Sequence, residues 1–134
     1  MIQRIQSLYL LLTALVAALF FNGEYFTFLS SSNTVMKWTI SVLAVIIPIL
    51  SMILIFLFSK RKTQLTLTKT LIVLIVIFIG ATCYYSFCLI SKYNVSFGLW
   101  GKTVIPLVQL LLAILAYLGI KRDEDLVKSY DRLR

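Results

Sequence analysis

Residues 38–58 read WTISVLAVIIPILSMILIFLF, an apolar run without a charged side chain. At about 1.5 Å of rise per residue, a helix of this length crosses the ~30 Å hydrocarbon core of a bilayer. Three further uncharged stretches cover residues 5–21, 71–90 and 104–120. Because lipid offers no hydrogen-bond partner to an open backbone, each stretch is predicted to be helical. The sequence therefore predicts an all-α integral membrane protein with a bundle of four transmembrane helices.

The composition of the whole chain excludes a soluble fold and argues against catalysis. Of its 134 residues, 60% are hydrophobic and 13% are charged, whereas a soluble domain is about 45–50% apolar and about 25% charged. The chain has no histidine and five acidic residues, which are the side chains that most catalytic and metal sites need. A lipid-modifying enzyme would have to use Glu24 or the C-terminal acids. We therefore expect no enzyme activity, no cofactor and no metal site.

The basic residues indicate the orientation of the chain. Positive charge in short loops resists translocation, so the side richer in lysine and arginine is expected to be cytoplasmic. Three basic residues fall on one side, namely Lys37, Lys92 and Lys102. The rest of the 13 fall on the other side: Arg4, Lys60, Arg61, Lys62, Lys69, Lys121, Arg122, Lys128, Arg132 and Arg134. Both termini are therefore predicted to be cytoplasmic, beside anionic lipid headgroups. The short K-R-K run does not predict nucleic-acid binding.

The N-terminal stretch has an alternative interpretation. Arg4 followed by the apolar residues 8–21 resembles a secretory signal peptide, with Val16-Ala17-Ala18 as a candidate cleavage site. However, apolar residues continue through Phe20 and Phe21, and removal of the stretch would leave an odd number of helices with misplaced basic loops. A retained transmembrane helix is therefore the favoured interpretation.

Small side chains predict which helices approach each other. In lipid, helices associate through close packing of small residues and through a few hydrogen bonds. The first and fourth stretches are therefore predicted to lie close together, or to meet a partner, through residues at i, i+3 or i+4 spacing: Ala14, Ala17, Ala18, Ala113, Ala116 and Gly119.

The polar residues within the stretches are few. A transporter or proton relay normally places ionisable groups at this depth, and the four stretches contain none. Gln109 is the most polar side chain, and its amide is expected to bond to a hydroxyl or carbonyl group on a neighbouring helix. An oligomeric transporter or channel would line its pore with Thr82, Ser86 and Gln109, and this function remains the alternative.

The prolines, cysteines and aromatic residues also carry expectations. Pro48 is expected to kink the second helix, whereas Pro106 is placed in the first turn of the fourth, where a missing N–H costs little. Cys83 and Cys88 lie on different faces of one helix, so they cannot form a disulfide, and both are expected to be buried. The aromatic residues near the two outer connections are predicted to form a belt at the membrane interface, and they include Phe20, Trp38, Tyr85 and Trp100.

The segment KRDEDLVKSYDRLR, residues 121–134, is the most patterned part of the chain. It contains neither Gly nor Pro and is predicted to prolong the fourth helix into the cytoplasm by about 20 Å. Leu126, Tyr130 and Leu133 repeat at i, i+4 and i+7 and form an apolar stripe with Val127 beside it. This stripe needs cover, either from lipid headgroups and the protein's own basic loop or from a partner protein. The predicted docking surface also includes the surrounding charged residues, which are Arg122, Asp123, Glu124, Asp131, Arg132 and Arg134.

The two ends of the chain resemble a known family. The opening MIQRIQSLYLLL and the closing IKRDEDLVKSYDRLR are similar to those of a small family of four-span membrane proteins of unknown function found in Bacteroidota. The resemblance covers the whole chain in layout and is specific at the two ends. It implies a four-helix plan and a bacterial inner-membrane location, and it implies nothing about chemistry.

These patterns together predict a transmembrane domain over residues 1–120 and an amphipathic helical tail over residues 121–134. The membrane region lacks reactive side chains, whereas the tail combines an apolar stripe with charged residues around it. This contrast favours a non-enzymatic accessory or scaffold subunit of a bacterial inner-membrane complex, which docks a larger membrane protein assembly through its C-terminal helix.

Overall fold

The chain folds into four α-helices in a computed structural model that describes residues 2–20, 34–57, 61–93 and 98–132. In chain order they are α1 (Ile2–Phe20), α2 (Thr34–Phe56), α3 (Arg61–Tyr93) and α4 (Gly98–Arg132). Each helix packs on the next along the chain, and α1 also packs on α4, so that the four form a closed ring. No strand occurs within the described ranges. The prediction of an all-helical fold is confirmed.

Three of the described helices are long and apolar enough to cross a membrane. Their apolar windows are Lys37–Phe56, Lys62–Cys88 and Thr103–Val127, and α1 carries the shorter apolar stretch Gln6–Phe20. The helices extend beyond the predicted spans. α3, for example, includes residues 61–70, which contain no Gly or Pro and therefore continue the helix before the predicted span at residue 71. This length and composition are those of a membrane protein.

Large apolar side chains fill the bundle interior. The rings of Phe20 on α1 and Phe78 on α3 meet edge to face, with their centroids 5.0 Å apart. Phe20 is 1% exposed and Tyr85 is 2% exposed, so the prediction of an interfacial belt is wrong for these two residues, because each lies on the inward face of its helix. Trp38, in contrast, is largely exposed at the start of α2, as a belt residue would be.

Two further expectations are wrong, one about the position of Pro106 in its helix and one about the burial of Cys83. α4 begins at Gly98, upstream of the predicted span, so Pro106 lies in the helix interior rather than in its first turn. Cys83 is exposed on α3 and Cys88 is partly buried. The prediction of burial is therefore wrong for Cys83, whose small apolar thiol lies on the outer face of the bundle.

A side-chain hydrogen bond joins the end of α2 to the beginning of α3. The last carbonyl groups of a helix have no partner within that helix. One of them, the carbonyl of Leu54, accepts a 3.1 Å hydrogen bond from the buried side-chain amide of Gln64 on α3. This contact holds the end of α2 beside the beginning of α3.

The packing of α1 on α4 agrees with the small-residue prediction. Ala14 and Ala17 on α1 are buried, as are Ala113 and Ala116 on α4, and these two helices share the broadest contact in the bundle. The prediction of a close approach is confirmed, except that Ala18 is exposed on the outer face of α1. Gln6 near the start of α1 contacts Asp123 near the end of α4, so these two helix ends lie at one end of the bundle, here called the terminal end.

Candidate functional site

The charged C-terminal segment continues the last transmembrane helix. α4 runs from Gly98 to Arg132 without interruption. Its apolar residues and the charged residues that follow them therefore form one continuous helix. The helix therefore includes the charged residues as far as Arg132.

The first turn of the tail packs against α1 rather than standing free. Asp123 is 8% exposed, and its carboxylate accepts a 2.7 Å hydrogen bond from the side-chain amide of Gln6, which is also buried. Asp123 shares a face of α4 with the buried residues Ala116 and Ile120, because these positions repeat at helical spacing. The structure thus removes Asp123 from the solvent-facing part of the predicted docking surface, and packing continues past the predicted domain boundary at residue 120.

Gly119 allows the two helices to approach at this point. A Cβ atom on Gly119 would lie 2.8 Å from Cγ of Gln6, which is closer than two carbon atoms pack. The absence of a side chain therefore gives Gln6 the room from which it reaches Asp123, one turn further along α4. Sequence reasoning missed Gln6. The sequence feature that could have indicated Gln6 is a polar residue at the start of an apolar helix, which was itself predicted to pack on the small residues of α4.

A groove opens beside this contact, between α1 and the outer face of α4. Its volume is about 790 Å³. Gln6 and Tyr9 line it from α1, and α4 lines it with residues between Leu115 and Ser129, including Lys121, Arg122 and Leu126. The groove depends on how α1 crosses α4, which the sequence does not specify. The sequence feature that could have indicated the groove is the change from leucine to basic residues along one face of α4.

The structure describes only some of the other predicted docking residues. Leu126 is 45% exposed and Val127 is 43% exposed, and both follow the charged residues 121–125 of α4. Arg122 is exposed and Glu124 is partly buried. Tyr130, Asp131 and Arg132 belong to the last turn of α4, with side chains outside the description, and Leu133 and Arg134 lie outside the described residues. The predicted stripe is therefore visible at its beginning, Leu126 and Val127.

The polar residues of the apolar windows form mostly local hydrogen bonds. The hydroxyl of Thr82 donates within its own helix, to the carbonyls of Phe78 and Ile79, and the hydroxyls of Ser86 and Thr103 are 3.2 Å apart across α3 and α4. Gln109 is 1% exposed, and its side-chain oxygen Oε1 has no hydrogen-bond partner among the described residues. The expected bond from a neighbouring helix is absent at that atom.

The described ranges contain no cluster of three or more Cys, Asp or Glu side chains that could hold a metal ion. The comparisons with known proteins identify a family but no activity. A family described as "Domain of unknown function (DUF4293)" matches residues 2–133. No curated protein and no solved structure matches the chain.

Proposed function

Because the chain belongs to this domain-of-unknown-function family, we propose a role from its residues alone: it is a non-enzymatic accessory or scaffold subunit of a membrane protein complex. In this proposal the membrane bundle anchors the protein, and the end of α4 docks a larger assembly. The docking residues are Leu126 and Val127 with the charged residues around them, and the stripe continues through Tyr130 and Leu133. Arg122, Glu124, Asp131, Arg132 and Arg134 surround it.

The observation that carries the proposal is the exposure of Leu126 and Val127 in a charged segment. Exposed leucines facing lipid need no explanation, but apolar side chains beyond the hydrocarbon region gain free energy when a partner covers them. The helix that bears them is fixed at its base by the hydrogen bond between Gln6 and Asp123. Such a preorganised helix loses little conformational entropy when it binds.

The membrane placement belongs to the same proposal. We place all four helices across a bacterial inner membrane, with both termini in the cytoplasm. The clustering of basic residues at the terminal end supports this orientation. The shorter apolar stretch of α1, Gln6–Phe20, is accommodated by local thinning of the bilayer or by tilting of its neighbours.

Affinity purification after mild detergent extraction tests the docking role. We compare the full chain with a chain that ends at Asp125, which keeps the bond between Gln6 and Asp123 and loses the stripe. A second truncation, ending at Lys121, loses both. The expected result is a partner recovered in near-stoichiometric amount with the full chain and at least tenfold less with either truncation. Equal recovery from the full chain and the chain ending at Asp125 would contradict the proposal.

A small oligomeric transporter or channel is the second candidate, and one observation favours it. The Oε1 atom of Gln109 is buried without a hydrogen-bond partner in the described part of the bundle, and an unsatisfied polar atom at membrane depth can serve a permeating molecule. Uptake or conductance that is lost in Gln109→Leu and kept in Thr82→Val would support this function. Transport that is unchanged in Gln109→Leu would remove its strongest polar candidate.

A further inference from the structure

The groove between α1 and α4 changes from apolar to cationic along its length. Leu115 and Leu118 are exposed along it, within the apolar window of α4. Lys121 and Arg122 follow, and the lining then continues through Asp125, Leu126 and Ser129. The step from Leu115 to Arg122 corresponds to about 10 Å along the helix. A phospholipid shows the same succession, an apolar chain followed by a phosphate group.

The size of the groove suits a small amphiphilic molecule. Its volume of about 790 Å³ lies within the range of roughly 300–1,000 Å³ typical of sites for small molecules. One acyl chain of a phospholipid and its phosphate group can therefore occupy the groove, while the second acyl chain stays in the bilayer.

The charge of the groove favours an anionic headgroup. Two of its lining residues, Lys121 and Arg122, are basic, and one, Asp125, is acidic. Asp125 lies about one turn, or roughly 5 Å, further from the leucines than the two basic residues. A phosphate held at the level of Lys121 and Arg122 is therefore nearer to the cations of the groove than to its carboxylate. Gln6 already donates its amide to Asp123 and forms part of the wall.

We propose that this groove binds one anionic phospholipid of the surrounding bilayer. One of its two acyl chains lies along Leu115, Leu118 and Tyr9, and its phosphate group contacts Lys121 and Arg122. Each basic residue near a membrane surface contributes about 1 kcal/mol to the attraction of an anionic lipid. The bound lipid covers exposed apolar surface of α4 and joins it to α1. This site requires no protein partner, but it shares Arg122 and Leu126 with the proposed docking surface. Leu118 lines the groove and lies outside that surface, so the variant Leu118→Trp tests the lipid site separately from the docking role.

Native mass spectrometry of the full chain in detergent tests the proposal. The probes are phosphatidylglycerol and phosphatidylcholine with identical acyl chains. We expect one phosphatidylglycerol to remain bound at a concentration that leaves phosphatidylcholine unbound. In the double variant Lys121→Gln with Arg122→Gln, the affinity for phosphatidylglycerol is expected to fall roughly thirtyfold. In Leu118→Trp, which fills the groove at an exposed position, binding is expected to be lost.

The matched control is the double variant Lys62→Gln with Lys69→Gln. It removes the same charge from exposed positions on α3, outside the groove, and should leave the affinity within about twofold of the unmodified chain. Millimolar inorganic phosphate should not displace the lipid, because phosphate lacks the acyl chain. Equal loss in the two double variants, or equal retention of the two lipids, would overturn the proposal. A dimer that Leu118→Trp disrupts without changing lipid binding would also overturn it, since a second copy would then occupy the groove.

Discussion

The side-chain amide of Gln6 donates a 2.7 Å hydrogen bond to the carboxylate of Asp123, and both residues are buried. This bond connects the first helix of the protein to the segment that follows the last apolar turn. It places the beginning of α1 and the charged end of α4 at the same end of the bundle. The C-terminal segment is thus a fixed part of the fold from its first turn onwards.

The first prediction concerns the strength of this contact. A hydrogen bond to a charged group contributes about 1.5–3 kcal/mol, so Gln6→Leu is expected to lower the free energy of unfolding by about 2 kcal/mol, because it leaves a buried carboxylate without that donor. Combining Gln6→Leu with Asp123→Leu should cost at least about 1 kcal/mol less than the sum of the two single losses. Equilibrium unfolding in mixed detergent measures all four proteins. Additive losses would show that the two side chains are not coupled.

The second prediction compares two glycines within helices. Gly119→Ala places a Cβ atom 2.8 Å from Cγ of Gln6, so it is expected to destabilise the bundle by about 1–3 kcal/mol, in spite of the better helix propensity of alanine. Gly80→Ala is the matched control, because nothing lies within 4 Å of the corresponding position on α3. It should be neutral or stabilising by up to about 1 kcal/mol. The same unfolding measurement distinguishes them, and effects of equal sign and size would argue against the close approach at Gly119.

The third prediction compares two buried glutamines. Oε1 of Gln109 has no hydrogen-bond partner among the residues that the structure describes, so Gln109→Leu is expected to raise the melting temperature or leave it unchanged. The side-chain amide of Gln64 donates to the carbonyl of Leu54, and Gln64→Leu should cost about 1 kcal/mol or more. Thermal unfolding in detergent compares the two variants. A larger loss in Gln109→Leu than in Gln64→Leu would indicate that Gln109 has a role in packing.

The fourth prediction concerns the orientation of the bundle. In a background with Cys83→Ser and Cys88→Ser, the exposed position Ser129→Cys marks the terminal end, and the exposed position Thr34→Cys marks the other end. A membrane-impermeant maleimide should label Thr34→Cys in intact spheroplasts and Ser129→Cys in inverted vesicles, because the proposed orientation places the terminal end, with most of the basic residues, in the cytoplasm. Labelling of Ser129→Cys from the outside would reverse the proposed orientation.

The four helices and the close approach of α1 to α4 were predictable from the sequence, whereas the groove between α1 and α4 was not. Long uncharged runs predict helices because lipid forbids an open backbone, and the alanines of α1 and α4 predict a close approach because small residues permit it. The burial of Asp123 was not predictable in this way. A charged residue within an amphipathic helix is normally assigned to solvent, and its partner Gln6 lies at the other end of the sequence. Phe20 was missed for a related reason, since an aromatic residue near a helix end suits either the interface or the core.

Site-specific photo-cross-linking at Val127 tests the docking role most directly. Val127 is 43% exposed and lies outside the lining of the lipid groove. Leu111 is the control, since it is exposed on the same helix within the uncharged stretch that ends at Ile120. A photoreactive residue at each position is activated in native membranes, and the products are separated by mass. We predict one discrete protein adduct from Val127 and none from Leu111. Only lipid adducts from Val127, or the same protein adducts from both positions, would contradict a partner bound at the end of α4.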